Sequence, residues 1–188
     1  MHEFARVVLA YHGCAEPLGA RLLAGRVSMT AWPWSRNQWD WLGHGIYFWE
    51  YAPSRALRWA EAKARRTGGA PSVVGAVVQL GRCLDLTDIA NTESLAIAYQ
   101  QVRAAYEAAG RELPRNRGSM PDLKRRELDC LVLNYLCSQS PVLYQTVRGV
   151  FLEGDPAYPD AMIRKESHVQ IAVRDPSCIL GVFRPNLG

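Results

Sequence analysis

The sequence predicts an α+β domain, and three observations carry that prediction. A short apolar run, Val7-Val8-Leu9-Ala10, opens the chain as a strand. The last forty residues alternate or run apolar in short pieces divided by Gly and Pro, as strands do. Between them lie stretches with helical spacing, bounded by Pro at the start and Gly at the end. A doubly wound sheet would want a Gly-rich phosphate loop after its first strand, and Gly13-Cys14-Ala15-Glu16 is not one.

Taken in order, residues 5–11 read as the first strand and 17–24 as a short helix with an early Pro17 and Gly25 past its end. Residues 28–42 form an irregular aromatic segment holding Trp32, Trp34, Trp39 and Trp41. A Gly-flanked strand follows at 45–49. Residues 53–66 have Pro53 near the start, Ala56, Leu57, Trp59 and Ala60 at helical spacing, and Gly68-Gly69 as a stop. The continuous apolar run 73–80 is a buried strand, 95–109 a helix, 111–121 a basic loop and 123–137 a second amphipathic helix. At the end, 146–152 alternates as a strand and 154–159 is a Pro-rich loop. Residues 169–173 and 179–183 are strands joined by the turn Arg174-Asp175-Pro176-Ser177.

With 188 residues and 48% hydrophobic content, the chain suits one domain with a real core, and no repeat or linker divides it. No stretch nears the roughly 18 consecutive apolar residues of a membrane span. The opening apolar run is too short for a signal-peptide core, so a soluble protein in the cytoplasm, not attached to a membrane, is expected. Five scattered cysteines without a C-x-x-C pair have neither disulfide-framework nor zinc spacing, so no metal is expected. The formal charge of +4 is concentrated in two basic clusters, residues 58–66 and 111–126. Most such clusters are solvated faces; the sharper reading is a polyanionic partner, because lysine and arginine near phosphates drive sequence-independent nucleic-acid binding.

Two short motifs carry chemistry. Tyr11-His12-Gly13 ends the first strand and puts an imidazole at a sheet rim where backbone approaches closely. Gly43-His44-Gly45-Ile46-Tyr47-Phe48-Trp49-Glu50 places glycines, against which a flat ligand can lie, before a ring suited to stacking. Together with Ala56-Leu57-Arg58-Trp59-Ala60, these resemble the ADP-ribosyltransferase superfamily, in its diphtheria toxin and poly(ADP-ribose) polymerase branch. The third motif of that branch is a glutamate opening a late strand. Here residues 170–175 and 178–183 look like that strand and the closing one, with Gln170 in the glutamate's place.

The resemblance implies a split antiparallel sheet with flanking helices and NAD⁺ as substrate. It implies that His12 bonds the adenine-side ribose, that the Gly13 backbone holds the nicotinamide amide, and that Tyr47 stacks on the nicotinamide ring beside Gly45. Gln170 would contact the nicotinamide-side ribose, and Asn37, after the first helix, would help to enclose the nicotinamide end. The imidazole and the phenol ring are expected to meet across the split sheet. A compact one-domain chain of this kind suits a toxin of a toxin–antitoxin or phage-defence system, with an antitoxin as a possible partner and a protein or nucleic-acid acceptor, the basic loop favouring RNA or DNA.

Glutamine keeps a hydrogen bond but can neither carry negative charge nor act as a base. Three readings stay open. The acceptor is already nucleophilic and needs no carboxylate; or Glu153, Glu166 or Glu50 serves instead; or the fold binds NAD⁺ without turnover. NAD⁺ glycohydrolase activity and a non-catalytic nucleotide-binding module are the alternatives to transfer. Cys130, within an apolar helical stretch, is not expected to act as a nucleophile.

Overall fold

A computed structural model describes residues 4–28, 32–120, 122–139 and 144–187. Residues 29–31 of the expected aromatic segment and Pro121 at the end of the expected basic loop lie outside them. The fold is α+β: among the described residues there are four α-helices and a seven-stranded sheet.

The strands are β1 (Phe4–Ala15), β2 (Ile46–Glu50), β3 (Pro71–Gly81), β4 (Cys83–Asp85), β7 (Thr146–Phe151), β8 (His168–Val173) and β9 (Ile179–Phe183). Their order across the sheet is β4-β7-β8-β2-β1-β3-β9. Every pairing is antiparallel except β4 with β7, so the sheet is mixed where an all-antiparallel one was expected. A two-stranded hairpin, β5 (Asn116–Arg117) with β6 (Arg125–Arg126), stands apart.

The helices are α1 (Glu16–Leu23), α2 (Pro53–Thr67), α3 (Ile89–Ala108) and α4 (Glu127–Gln139). Two of them depart from expectation. Helix α3 begins six residues early because the Asp88 carboxylate accepts from the Ala90 N–H at 3.0 Å and caps it. Helix α4 begins late because Leu123 has φ 42° and Arg125–Arg126 pair with the hairpin. Asn116 then caps α4 from outside, its side-chain oxygen accepting from Leu128 N–H (3.0 Å) and Asp129 N–H (3.2 Å). Strand β4 is only three residues long and carries no period to read.

Alternation along the strands separates two apolar layers. On one face Val8, Ala10, Ile46, Phe48, Val74, Ala76, Val78, Ile171 and Val173 pack with Leu22 of α1 and with Trp32. On the other, Leu42, Leu84, Val147, Phe151 and Ala172 pack with Leu133 and Cys137 of α4. A smaller cluster of Trp49, Ala56 and Val73 lies under α2.

Candidate functional site

Strands β1 and β2 pair over only two residues, Ala10 with Glu50 and Tyr11 with Trp49. Beyond that point β1 continues on β3 through His12 and Gly13, while β2 continues on β8. The His12 ring occupies the parting: its Nδ1 lies 2.8 Å from the Tyr47 carbonyl oxygen. A carbonyl only accepts, so Nδ1 carries the proton and Nε2 keeps its lone pair. Burial pushes the His12 pKa down to about 4, outweighing the bond to Tyr47, so the ring is neutral at physiological pH. The Trp32 and Phe48 rings hold it at centroid distances of 5.3 and 5.6 Å.

The expectation that imidazole and phenol meet ring to ring needs correction. Cross-strand partners share a face and neighbours along a strand alternate, so Tyr47, Trp49, Gln170 and Ala172 face one way and His12 and Phe48 the other. The imidazole meets the backbone of Tyr47. The phenol packs beneath α4, where its oxygen accepts from Leu42 N–H (2.8 Å) and donates to the Gly43 carbonyl (2.6 Å). Burial raises the Tyr47 pKa well above its ordinary value, so the hydroxyl stays protonated. It thereby pins the turn into β2, where Gly43 has φ 72°.

The two motif glycines sit at close approaches of the protein to itself. A methyl at Gly13 would run into the Ala56 carbonyl oxygen of α2 and touch the Trp59 ring. One at Gly45 would lie 2.9 Å from the Val173 carbonyl oxygen of β8. Gly13 therefore seats α2, and α2 brings Trp59 to Trp49 at a centroid distance of 5.7 Å.

Gln170 is paired with Trp49 on one side and Gly149 on the other. It is 8% exposed, and its Oε1 has no hydrogen-bond partner. Among the described residues, six buried side-chain polar atoms are in that condition, and five belong to one neighbourhood: Trp49 Nε1, Arg55 Nε, Asp122 Oδ1, His168 Nε2 and Gln170 Oε1. His168 is two residues before Gln170 on the same face. Its Nδ1 donates to the Glu166 carbonyl (2.7 Å), which leaves Nε2 as a bare acceptor. Burial lowers its pKa. The set thus offers two N–H donors and three acceptors, a concentration of unmet hydrogen bonding that cores rarely tolerate.

The carboxylates around it are already engaged. Glu153, 3% exposed, is bonded by the Arg55 guanidinium and sits 3.0 Å from Lys124 Nζ. Burial works to raise its pKa, but these two cations prevail and hold it below the usual carboxylate range. Glu166 lies 3.6 Å from both Arg55 and Arg58. Glu50 is on the opposite face, held by Arg6 at 3.0 Å and by Arg148 at 2.6 Å, with Asp85 on the far side of Arg148.

Asn37 is exposed on the loop before β2, where its amide donates to Ser35 Oγ (2.9 Å) and to Asp40 (3.2 Å). Cys130 is buried and its thiol is pushed up to about 11, so no thiolate forms there. All five cysteines are buried and unpaired. Sequence reasoning missed Arg55 and Lys124 as neighbours of this site. Lys124 reads as a member of the basic cluster 111–126 and Arg55 as an ordinary residue at the start of a helix, and only the loop carrying Glu153 reveals what they face. Two surface hollows, one lined by Asp85, Thr87, Asp88 and Ile89 and one by Tyr99, residues 112–115 and Leu128, include none of the candidate residues. Among the described residues no three His, Cys, Asp or Glu side chains come together as a metal site, and no helix is long and apolar enough to cross a membrane.

Comparison of the chain with protein-family models, with curated proteins and with solved structures gives no match.

Proposed function

We propose that the protein is an NAD⁺-dependent mono-ADP-ribosyltransferase with an ADP-ribosyltransferase-like split sheet. The observation that carries this reading is the parting of β1 from β2 at the His12-Gly13 motif, with the His12 ring against the Tyr47 backbone and Gln170 opposite Trp49 on the next strand. The three motif positions thus lie on three neighbouring strands, β1, β2 and β8.

The chemistry asks for little more than positioning. Losing nicotinamide leaves an oxocarbenium-like ribose, so the site must hold a bent dinucleotide and keep water away. On the face of His12, Nε2 accepts a ribose hydroxyl and the Gly13 edge of β1 takes the carboxamide; Gln170 Oε1, on the other face, accepts from the nicotinamide-side ribose where the ligand passes through the parting of β1 from β2. Glu50 and Glu153 are committed to arginines, which supports the reading in which the acceptor brings its own nucleophile. A toxin acting in a toxin–antitoxin or phage-defence setting fits such an activity, with an antitoxin as the natural antagonist.

The test is nicotinamide release from NAD⁺ by the wild type beside Gln170→Ala and Tyr47→Ala, with labelled NAD⁺ and cell lysate to trap the acceptor. The expected result is a labelled macromolecule whose label is lost in both variants. Free ADP-ribose without labelled acceptor selects a glycohydrolase, and NAD⁺ binding without nicotinamide release selects a binding module.

A further inference from the structure

Beside the candidate site lies a surface on which arginines and tryptophans alternate. The Arg125 guanidinium lies over the Trp39 ring at 4.8 Å, and that of Arg126 over Trp41 at 4.0 Å and Phe151 at 4.9 Å. Arg36 lies over Trp34 at 5.6 Å. The tryptophans come from the loop before β2 and two of the arginines from β6; Trp41 Nε1–H donates to the Lys124 carbonyl at 2.9 Å and ties the two segments together. Trp39 is 41% exposed, a large apolar ring left in solvent beside exposed Arg125, which shares the Glu127 carboxylate with exposed Arg117 and follows exposed Lys124.

Two further features give this surface a direction. The Glu127 carboxylate accepts from Arg117 and Arg125 together, at 2.5 and 2.7 Å, so one acid orients two guanidiniums. Trp41 stacks on His168 at 6.1 Å and 23°, and His168 is two residues from Gln170. The aromatic row therefore runs from solvent to the unmet donors and acceptors around Gln170.

We infer that this row docks a single-stranded nucleic acid whose base amine is the ADP-ribosyl acceptor. The inference rests on the transferase reading for its second half and stands without it for the first. Every base has a π face that stacks on an exposed tryptophan, whereas a duplex keeps those faces covered. Phosphates pair with guanidiniums whose planes are already fixed on rings. A base edge carries both donors and acceptors, the same mix left unmet at Trp49, Arg55, His168 and Gln170. In the transfer itself the amine nitrogen bonds to the ribose carbon as the carbon–nitrogen bond to nicotinamide breaks. That electron pair leaves with the nicotinamide ring nitrogen, and the amine gives its surplus proton to water, so Gln170 need not act as a base.

The test is fluorescence anisotropy with labelled twelve-nucleotide single-stranded RNA and DNA and with the DNA duplex, at low and moderate salt. Single strands bind, and the duplex binds at least about tenfold more weakly. Trp39→Ala weakens single-strand binding about tenfold, as loss of one base–aromatic stack requires. Arg125→Gln lowers the salt slope by about one ion. Arg65→Ala, at the exposed end of α2, changes neither. Unaltered thermal melting of Trp39→Ala shows that its fold is intact. Equal binding by Trp39→Ala and wild type, equal affinity for duplex, or no binding overturns the docking surface. With labelled NAD⁺, label on the oligonucleotide supports the inference. An oligonucleotide that binds without any nicotinamide release sinks the transferase reading alone. Nicotinamide release with label only on protein overturns the nucleic-acid acceptor.

Discussion

His12 and Tyr47 touch through a ring nitrogen and a backbone carbonyl, 2.8 Å apart, where two neighbouring strands part. Their side chains serve different layers: the imidazole sits among Trp32 and Phe48, and the phenol braces the turn at Leu42 and Gly43. The pair thus joins the two sides of the sheet through the backbone of β2.

That bracing separates the ring of Tyr47 from its hydroxyl. Tyr47→Phe keeps the ring but leaves Leu42 N–H without its acceptor, costing about 1–3 kcal/mol. Urea unfolding should show that loss, while nicotinamide release at a temperature below melting stays within about tenfold of wild type. Tyr47→Ala also removes the ring from the apolar layer beneath α4 and should cost more stability than Tyr47→Phe. Equal stability of Tyr47→Phe and wild type would remove the bracing role.

Acid should weaken the fold through His12. Its folded pKa of about 4 is below the ordinary 6.5, so the unfolded chain takes the proton first as pH falls. Stability from this group is complete above pH 6.5 and drains away between 6.5 and about 4, the loss at pH 5 being about 2 kcal/mol. His168 and His44 are shifted the same way. Glu153, shifted down, adds its own loss as pH falls through the carboxylate range. The urea midpoint should drop from pH 7.5 to pH 5, and His12→Gln should flatten that drop. A midpoint independent of pH would contradict the burial argument.

Arg55 and Glu153 form the ion pair that closes α2 onto the β7–β8 loop, and both are mostly buried, at 15% and 4% side-chain exposure. Glu153→Met leaves the mostly buried Arg55 with only Glu166, 3.6 Å away, as counter-ion, and should cost about 2 kcal/mol. The double variant Arg55→Met with Glu153→Met removes both charges and should be more stable than Glu153→Met alone. A double-mutant cycle on guanidinium midpoints measures this directly. Simple additivity of the two losses would mean that the pair contributes nothing as a pair.

Gly13 and Gly75 both lie in tight places but face different obstacles. At Gly13 the obstruction is the Ala56 backbone carbonyl, which moves only if α2 moves; at Gly75 it is the Phe183 ring. Gly13→Ala should therefore cost about 2–3 kcal/mol, near the upper end for overpacking, and carry Trp59 and Arg55 out of place. Gly75→Ala should cost less because a half-buried ring can turn. Thermal melting of the two variants decides it, and equal losses would show that α2 yields as readily as a side chain.

Local pattern determined most of the elements. Val7 to Ala10, the Pro53-to-Gly68 frame and the paired strands near the end are readable because burial on one face and the limits of Pro and Gly act over a few residues. It also singled out His12, Tyr47 and Gln170, whose strands fall side by side. What it left undecided depends on which distant segments meet. The late start of α4 follows from Arg125–Arg126 pairing with Asn116–Arg117, and the short β4 exists only because β7 lies beside it. The opposite facing of His12 and Tyr47 follows from a register that no single strand encodes. Glu153 and Glu50 became fixed counter-ions because arginines from other elements reach them. Side-chain period is a property of one strand, but register and ion pairing are properties of two, and only the folded chain supplies the second.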